Sequence, residues 1–243
     1  MFRSLIYSVF ITIAIPAISV FAETHTIPAY KAVYDIRYKG SLVGESEITL
    51  VAGQTNSSYI YSSKSNTKGL LRFVAPKELL EISEFSYNNN LIQPLRYTLK
   101  NNSRLGNDSY SVDFNWEKKI TITTVGNQTT QSPLVPGTLD RGTLQVALML
   151  EMKDSEPLSH TIRDEDGIRI YDYSSSGQET IETSLGPITA EKLIQQRQGY
   201  SRQTVLWMAK DFQYLPVRME QLRNNESRAV LEIKSIEWLA PKE

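Results

Sequence analysis

Apolar and polar residues alternate with a period of two along most of the chain. In AYKAVYDIRYKG the apolar and aromatic residues Tyr30, Ala32, Tyr34, Ile36 and Tyr38 share one parity, and charged residues occupy most of the other. Because successive side chains of a strand point to opposite faces, this pattern predicts a strand with one buried face.

Further short strands, separated by turns, are predicted as far as the C-terminal region. In LVGESEITLVAG, the residues Val43, Ile48 and Leu50 share one face only if the strand bulges near Gly44, and glycine in a strand often marks a bulge. The Ser-Gly pair at 176–177 predicts a turn. The remaining strands are predicted over residues 58–63, 79–87, 92–100, 110–116, 119–125, 128–131, 159–163, 168–173, 179–183, 188–198, 203–209, 214–222 and 227–236.

One helix interrupts the strands, in TLDRGTLQVALMLEMK at residues 138–153. Its apolar residues cover a surface wide enough to be buried on more than one side. Asp140 or Thr138 is the expected N-cap.

The fold class follows from this order of elements. We find no long linker rich in Pro, Gly or Ser, so we predict one mainly β domain over residues 23–243. Its large antiparallel sheet is expected to curve strongly into a half-barrel or open barrel, with the helix packed on or capping the concave face. The stretch KGLLRFVAPKE, residues 68–78, fits neither a strand nor a helix and is predicted to be a loop.

The first 22 residues have the pattern of a secretory signal peptide. Arg3 precedes an apolar run that ends at Phe21, and the small residue Ala22 marks a cleavage point. A membrane anchor is the alternative, but Pro16 interrupts the run and no basic stop-transfer residues follow it. We therefore predict export to the periplasm, with no stable transmembrane anchor after cleavage.

The amino-acid composition excludes some kinds of chemistry and gives no support to others. The chain has no Cys, so disulfides, thiol chemistry and lipid attachment through an N-terminal cysteine are excluded. Without the leader the chain carries 25 Lys and Arg against 27 Asp and Glu, a net charge of −2. Such a balance gives no reason to expect a nucleic-acid partner.

Catalytic and metal-binding motifs are sparse. His25 and His160 are the only histidines, and the Gly-x-Ser-x-Gly motif of serine hydrolases is missing. Residues 163–167, RDEDG, could supply carboxylates to calcium, but Asp-Gly more simply predicts a hairpin turn. We therefore predict no enzyme activity, no catalytic residues, no metal and no cofactor. A cell-wall glycan hydrolase using paired carboxylates is the least favoured alternative.

The stretch TVLWMAKDFQYLPVRMEQL predicts two strands that meet at a turn around Lys210 and Asp211. Trp207 shares a face with Val205 and is expected to be buried against neighbours across the sheet. Pro216 lacks an amide donor, which suits a strand start or an edge.

Several segments together resemble a known family. They are PAYKAVYDIRYKGSLVGE, LIQPLRY, VDFNW, GTLDRGTLQVALML, SSGQETIETSLGPITAEKL and LWMAKDFQYLPVRME. In this series the chain is similar to the exported domain of unknown function 3108 of Gram-negative bacteria; Thr143 stands near where many members carry Ser. The resemblance implies an envelope location and antiparallel β architecture. A looser similarity to periplasmic lipoprotein carriers implies an apolar cavity, by analogy of fold alone.

These observations predict a non-enzymatic periplasmic protein that binds an apolar or amphipathic envelope molecule, such as a lipid or acyl chain. The expected cleft between sheet and helix is lined by Leu144, Val146, Leu148, Met149, Met152 and Trp207. The same residues would be plain core if the helix packs flat. The alternative is a scaffold for another envelope protein, reached through an edge strand or the 68–78 loop.

Overall fold

The alternating segments fold into strands. A computed structural model describes residues 27–55, 57–68, 78–101, 109–152, 158–196 and 200–240. Within these ranges the helix α1 spans Arg141–Glu151, and a short 3-10 helix spans Lys210–Phe212. The strands are β1 Tyr30–Tyr38, β2 Ser41–Ala52, β3 Ser58–Thr67, β4 Glu78–Asn88, β5 Leu91–Asn101, β6 Tyr110–Asn115, β7 Ile120–Val125, β8 Gln128–Pro133, β9 Leu158–Asp164, β10 Gly167–Thr183, β11 Gly186–Gln196, β12 Arg202–Ala209, β13 Leu215–Arg223 and β14 Glu226–Trp238.

The fourteen strands of the described residues form one antiparallel sheet. Its order is β8-β7-β6-β5-β4-β3-β2-β1-β14-β13-β12-β11-β10-β9. Two meanders, β1–β8 and β9–β14, are joined where β1 pairs with β14. The prediction of a mainly β fold, with one sheet crossing both halves, is confirmed. Because the order is linear, β8 and β9 are edge strands and the sheet is not closed into a barrel.

The helix shows how strongly the sheet curves. α1 packs against β9 at one edge and also against β3, β4 and β5, which lie eight to ten positions away in the sheet. In a flat sheet those strands would be roughly 40–50 Å from β9, since neighbouring strands lie about 4.8 Å apart. A helix only about 10 Å wide reaches both because the sheet curls around it. α1 therefore lies on the concave face, as predicted.

The concave face of the first meander is buried, as the alternation predicts. Facing residues on six neighbouring strands form a continuous row: Tyr30, Leu50, Tyr61, Ser83, Tyr97 and Val112, each at most 5% exposed. The opposite face carries exposed ion pairs such as Lys31 with Glu47. The core thus lies between the rolled sheet and α1.

The start of α1 differs from the predicted residue 138. The backbone of Leu139 is extended and pairs with β9: its N–H donates to the Thr161 carbonyl and its carbonyl accepts from the Arg163 N–H, both at 2.8 Å. Asp140 then caps the helix, which confirms one of the two predicted caps. At Gly142 a β-carbon would lie 2.2 Å from Ser83 Oγ, so the close approach of α1 to β4 requires glycine.

Of the predictions made for two glycine-containing segments, one is confirmed and one is wrong. The predicted bulge is confirmed: Ile36 pairs with Gly44 and Arg37 with Leu42, which leaves Val43 as the extra residue. The predicted turn at 176–177 is wrong, because β10 continues through it and pairs with β11 on both sides. The Ser-Gly pair forms a bulge there, with Gly177 at φ +82°. The predicted 68–78 loop and the signal peptide lie outside the described residues, apart from Lys68 and Glu78.

Candidate functional site

Five of the six predicted ligand-binding residues lie on α1 or, for Met152, at its C-cap. Four of them, Leu144, Val146, Leu148 and Met149, are at most 6% exposed, and Met152 is half-buried against the same cluster. The Tyr30 hydroxyl lies 3.8 Å from the Met149 sulfur. These side chains fill the space between helix and sheet, and their part in ligand binding stays a prediction.

Trp207 belongs to the same hydrophobic cluster but has different neighbours. Along β12, Leu206 and Met208 point to one face, and Trp207 points to the other. The expected burial across the sheet is confirmed, since Trp207 is 5% exposed and lies between Lys192 of β11 and Arg218 of β13. The structure therefore does not bring Trp207 and the α1 residues together around one opening.

A groove of about 380 Å³ runs over strands β10–β13 on the face where Trp207 lies. We call it the Trp207 groove. It contains four aliphatic side chains, two acids, two cations and one amide beside the indole, and no residue of α1. Its lining residues are Glu179, Ile181, Lys192, Ile194, Gln203, Val205, Trp207, Arg218, Glu220 and Leu222.

Charged neighbours fix the indole ring of Trp207. Lys192 Nζ lies 5.1 Å and Arg218 Cζ 5.2 Å from the ring centroid, within the range of cation–π contacts. The indole N–H donates to Glu179 at 3.1 Å, and Lys192 donates to the same carboxylate at 3.0 Å. These hydrogen bonds, that from Lys192 first, lower the pKa of Glu179. These contacts hold the ring in place.

Sequence reasoning missed Glu179, Lys192 and Arg218. Each is a charged residue in an alternating strand, a pattern that also describes ordinary solvent-facing positions. Only the strand register places Lys192 and Arg218 directly opposite Trp207.

Asp140 is a second place where polar groups converge, under the start of α1. Its carboxylate is fully buried and accepts hydrogen bonds from Ser83 Oγ at 2.6 Å and from the Thr143 N–H at 2.8 Å. Burial raises the pKa of Asp140 to about 6, while the hydrogen bonds from Ser83 and Thr143 oppose that shift. This arrangement caps the helix, and Asp140 does not line the Trp207 groove.

The acidic segment at residues 163–167 contains the turn between β9 and β10. Asp164 pairs with Gly167 in a two-residue hairpin turn, which is the simpler interpretation of RDEDG. In the described ranges, no three His, Cys, Asp or Glu side chains are arranged to hold a metal ion. No helix among the residues that the structure describes has the length and hydropathy needed to cross a membrane.

Comparisons with known proteins address the family and the fold. The sequence model of the family "Protein of unknown function (DUF3108)" matches residues 33–233. The crystal structure of a beta-barrel-like protein of domain of unknown function DUF1849 from Brucella abortus is similar at a TM-score of 0.56 and 8% identity, covering 88% of this chain and 99% of that one. No curated protein sequence matches the chain. At such identity the likeness shows the fold alone, which is β-barrel-like.

Proposed function

This chain belongs to the DUF3108 family, and from that premise we propose that it is a non-enzymatic binding protein of the cell envelope. Its ligand is an amphipathic molecule with an acyl or similar apolar chain. The observation that carries the proposal is the Trp207 groove, an open surface that combines aliphatic walls with charged residues.

The chemistry of the groove suits an amphipathic ligand. Ile181, Ile194 and Leu222 are among its walls, and covering apolar surface is favourable by about 25 cal/mol per Å². Because Trp207 is already fixed by Lys192 and Glu179, little side-chain freedom is lost on binding. The charged residues beside the walls would meet the polar part of the ligand.

The envelope location rests on other evidence. The signal-peptide pattern of residues 1–22 supports export.

Fluorescence of Trp207 tests the proposal directly. Replacing the other two tryptophans, Trp116→Phe and Trp238→Phe, leaves Trp207 as the sole indole emitter. Dodecyl maltoside, titrated below its micelle-forming concentration, should shift the emission and saturate at one molecule per chain. Circular dichroism checks that the double variant is folded.

A matched pair of variants separates the groove from general surface binding. Ile194→Glu places a charge in the groove wall and should abolish the saturable shift. Ile170→Glu is the control, because Ile170 is 58% exposed on β10 and lies outside the groove. Equal effects of the two substitutions, or no saturable shift at all, would contradict the proposal.

The cleft between α1 and the sheet is the alternative binding place. Leu148 is 1% exposed, so a ligand there would have to displace core packing. Leu148→Trp adds bulk to this packing and would exclude a ligand from it. Because the variant adds a second indole, its detergent binding is measured by calorimetry. If a folded Leu148→Trp protein no longer binds the detergent while the Ile194→Glu protein still does, the binding site is the interior cleft and not the Trp207 groove.

A second candidate function, a scaffold for another envelope protein, is favoured by strand β8. It is an edge strand with the sequence QTTQSP, whose residues are almost all exposed and uncharged. Edge strands without charges offer free backbone groups to a partner strand. The test is whether Thr129→Pro removes an envelope protein that co-purifies with the wild type.

A further inference from the structure

A second groove lies at the ends of strands β1, β12, β13 and β14. It measures about 520 Å³, and three of its seven lining residues are arginines while none is acidic. We call it the arginine groove. It is lined by Tyr38, Arg202, Gln221, Leu222, Arg223, Asn224 and Arg228.

Two of these arginines lie directly opposite each other on neighbouring strands. Arg202 on β12 is the cross-strand partner of Arg223 on β13, and both are exposed. Neither has an ion-pair partner among the described residues. Like charges placed directly opposite each other destabilise a sheet.

The third arginine adds a free donor. Arg228 is half-buried, and its Nε is shielded from solvent without a hydrogen-bond partner in the described structure. Its Nη2 lies 2.8 Å from Glu226, whose side chain is 70% exposed. Glu226 is also the cross-strand neighbour of Arg223 on β13, so its single negative charge offsets one of the three positive charges. The groove keeps a net positive charge.

We infer that the arginine groove binds an oxyanion, either a phosphate or a carboxylate group. Guanidinium groups donate paired hydrogen bonds that match the oxygens of such anions. The side-chain amides of Gln221 and Asn224 add neutral donors in the same groove.

The position of Leu222 connects this site with the proposed ligand. Leu222 lines both the arginine groove and the Trp207 groove, so the two adjoin at that residue. Alternation along β12 places the Arg202 side chain on the face opposite Trp207, so a ligand that occupies both grooves would pass around the end of the β12–β13 hairpin. The anion is then the head group of an amphipathic ligand whose chain lies in the Trp207 groove. This last step alone rests on the proposed function; the oxyanion site does not.

Calorimetric titration with three probes tests the site: inorganic phosphate, dodecyl phosphate and dodecyl maltoside, the detergents below their micelle-forming concentrations. Dodecyl phosphate should bind at least about tenfold more tightly than dodecyl maltoside, since its head group accepts charge-assisted hydrogen bonds from the arginines. The double variant Arg202→Gln, Arg223→Gln should remove that difference and leave dodecyl maltoside binding unchanged. Arg96→Gln, an exposed arginine on β5, is the control.

Thermal unfolding gives a second readout that does not depend on the apolar chain. Phosphate should raise the unfolding temperature of the wild type and of Arg96→Gln, but not that of the double variant. Without phosphate, the double variant should be at least as stable as the wild type, because the facing positive charges are gone.

The outcomes separate the two proposals. If phosphate binding depends on the arginines but no detergent binds, the oxyanion site is supported as a site for a free anion. The proposed amphipathic function is then refuted. If dodecyl phosphate binds in an arginine-dependent way and inorganic phosphate does not bind, the site binds the head group of an amphipathic molecule. If the double variant binds both phosphates as the wild type does, or neither protein binds either, the oxyanion site is refuted.

Discussion

Asp140 combines two roles that usually conflict. As the N-cap it must offer an acceptor to the backbone N–H groups of Gly142 and Thr143, which favours the ionised form. As a fully buried side chain with one oxygen, Oδ2, lacking a partner in the described structure, it favours the neutral form. Burial is the larger effect, and the pKa is raised from 3.8 to about 6.

The raised pKa of Asp140 predicts how stability changes with pH. Between about pH 4 and pH 6 the unfolded chain releases this proton while the folded chain keeps it, so the free energy of unfolding falls as pH rises. Asp140→Asn retains the cap acceptor but does not titrate. We expect the wild type to lose on the order of 3 kcal/mol relative to Asp140→Asn over this range.

Urea unfolding of both proteins at pH 4 and pH 7 measures this difference. All other carboxylates are common to the two proteins, so their contributions to the pH dependence of stability cancel in the comparison. Parallel pH profiles would show that Asp140 does not titrate as its burial indicates.

At the scale of elements, Arg163 links strands from opposite edges of the sheet. Its side chain, 6% exposed on β9, donates to Thr123 Oγ1 of β7 at 3.0 Å and to Ser132 Oγ of β8 at 3.2 Å. The backbone of Leu139, just before α1, pairs with β9 as well. These contacts hold an open sheet in a nearly closed shape.

Replacing Arg163 should loosen that junction. Arg163→Met keeps the length of the side chain but removes both hydrogen bonds, and we expect a loss of about 2 kcal/mol. Hydrogen exchange should become faster in β8 and at the start of α1. Arg96→Met is the control, because its ion pair with Asp113 is exposed and contributes little. Unchanged exchange in β8 would mean that Arg163 does not hold the edges together.

At the scale of the whole molecule, the location and the ligand can be tested together. Expressed with its own leader, the protein should be recovered from the periplasm with a denatured mass that begins near Glu23. A native spectrum with extra mass that is extracted as lipid would support an amphipathic ligand. An uncleaved chain in the cytoplasm would refute export, and bare protein in both spectra would favour the scaffold function.

The sequence predicted elements better than it predicted their ends. The bulge at Gly44 was visible because apolar residues changed parity there. The second half of β3, residues 64–67, was missed because KSNT has no apolar alternation. The break expected at 176–177 became a bulge, because a Ser-Gly pair favours a turn locally but the shared partner strand β11 continues the pairing.

The candidate site was only partly visible in the sequence. Trp207 could be identified because a large aromatic in an alternating strand is expected to be buried. Its partners Lys192 and Arg218 could not, since their contact depends on which strands are neighbours and in what register. For the same reason Arg202 and Arg223 gave no sign in the sequence that they face each other.

The sequence by itself determined the class of fold, because period-two alternation, turn residues and one broad apolar helix dictate which faces are buried. It also determined the lack of thiol chemistry. Only the tertiary structure decided the strand order, the curl of the sheet around α1 and the two grooves. Pairing between β1 and β14 joins residues about 200 positions apart in the chain, and such long-range contacts depend on closure of the whole sheet rather than on local pattern.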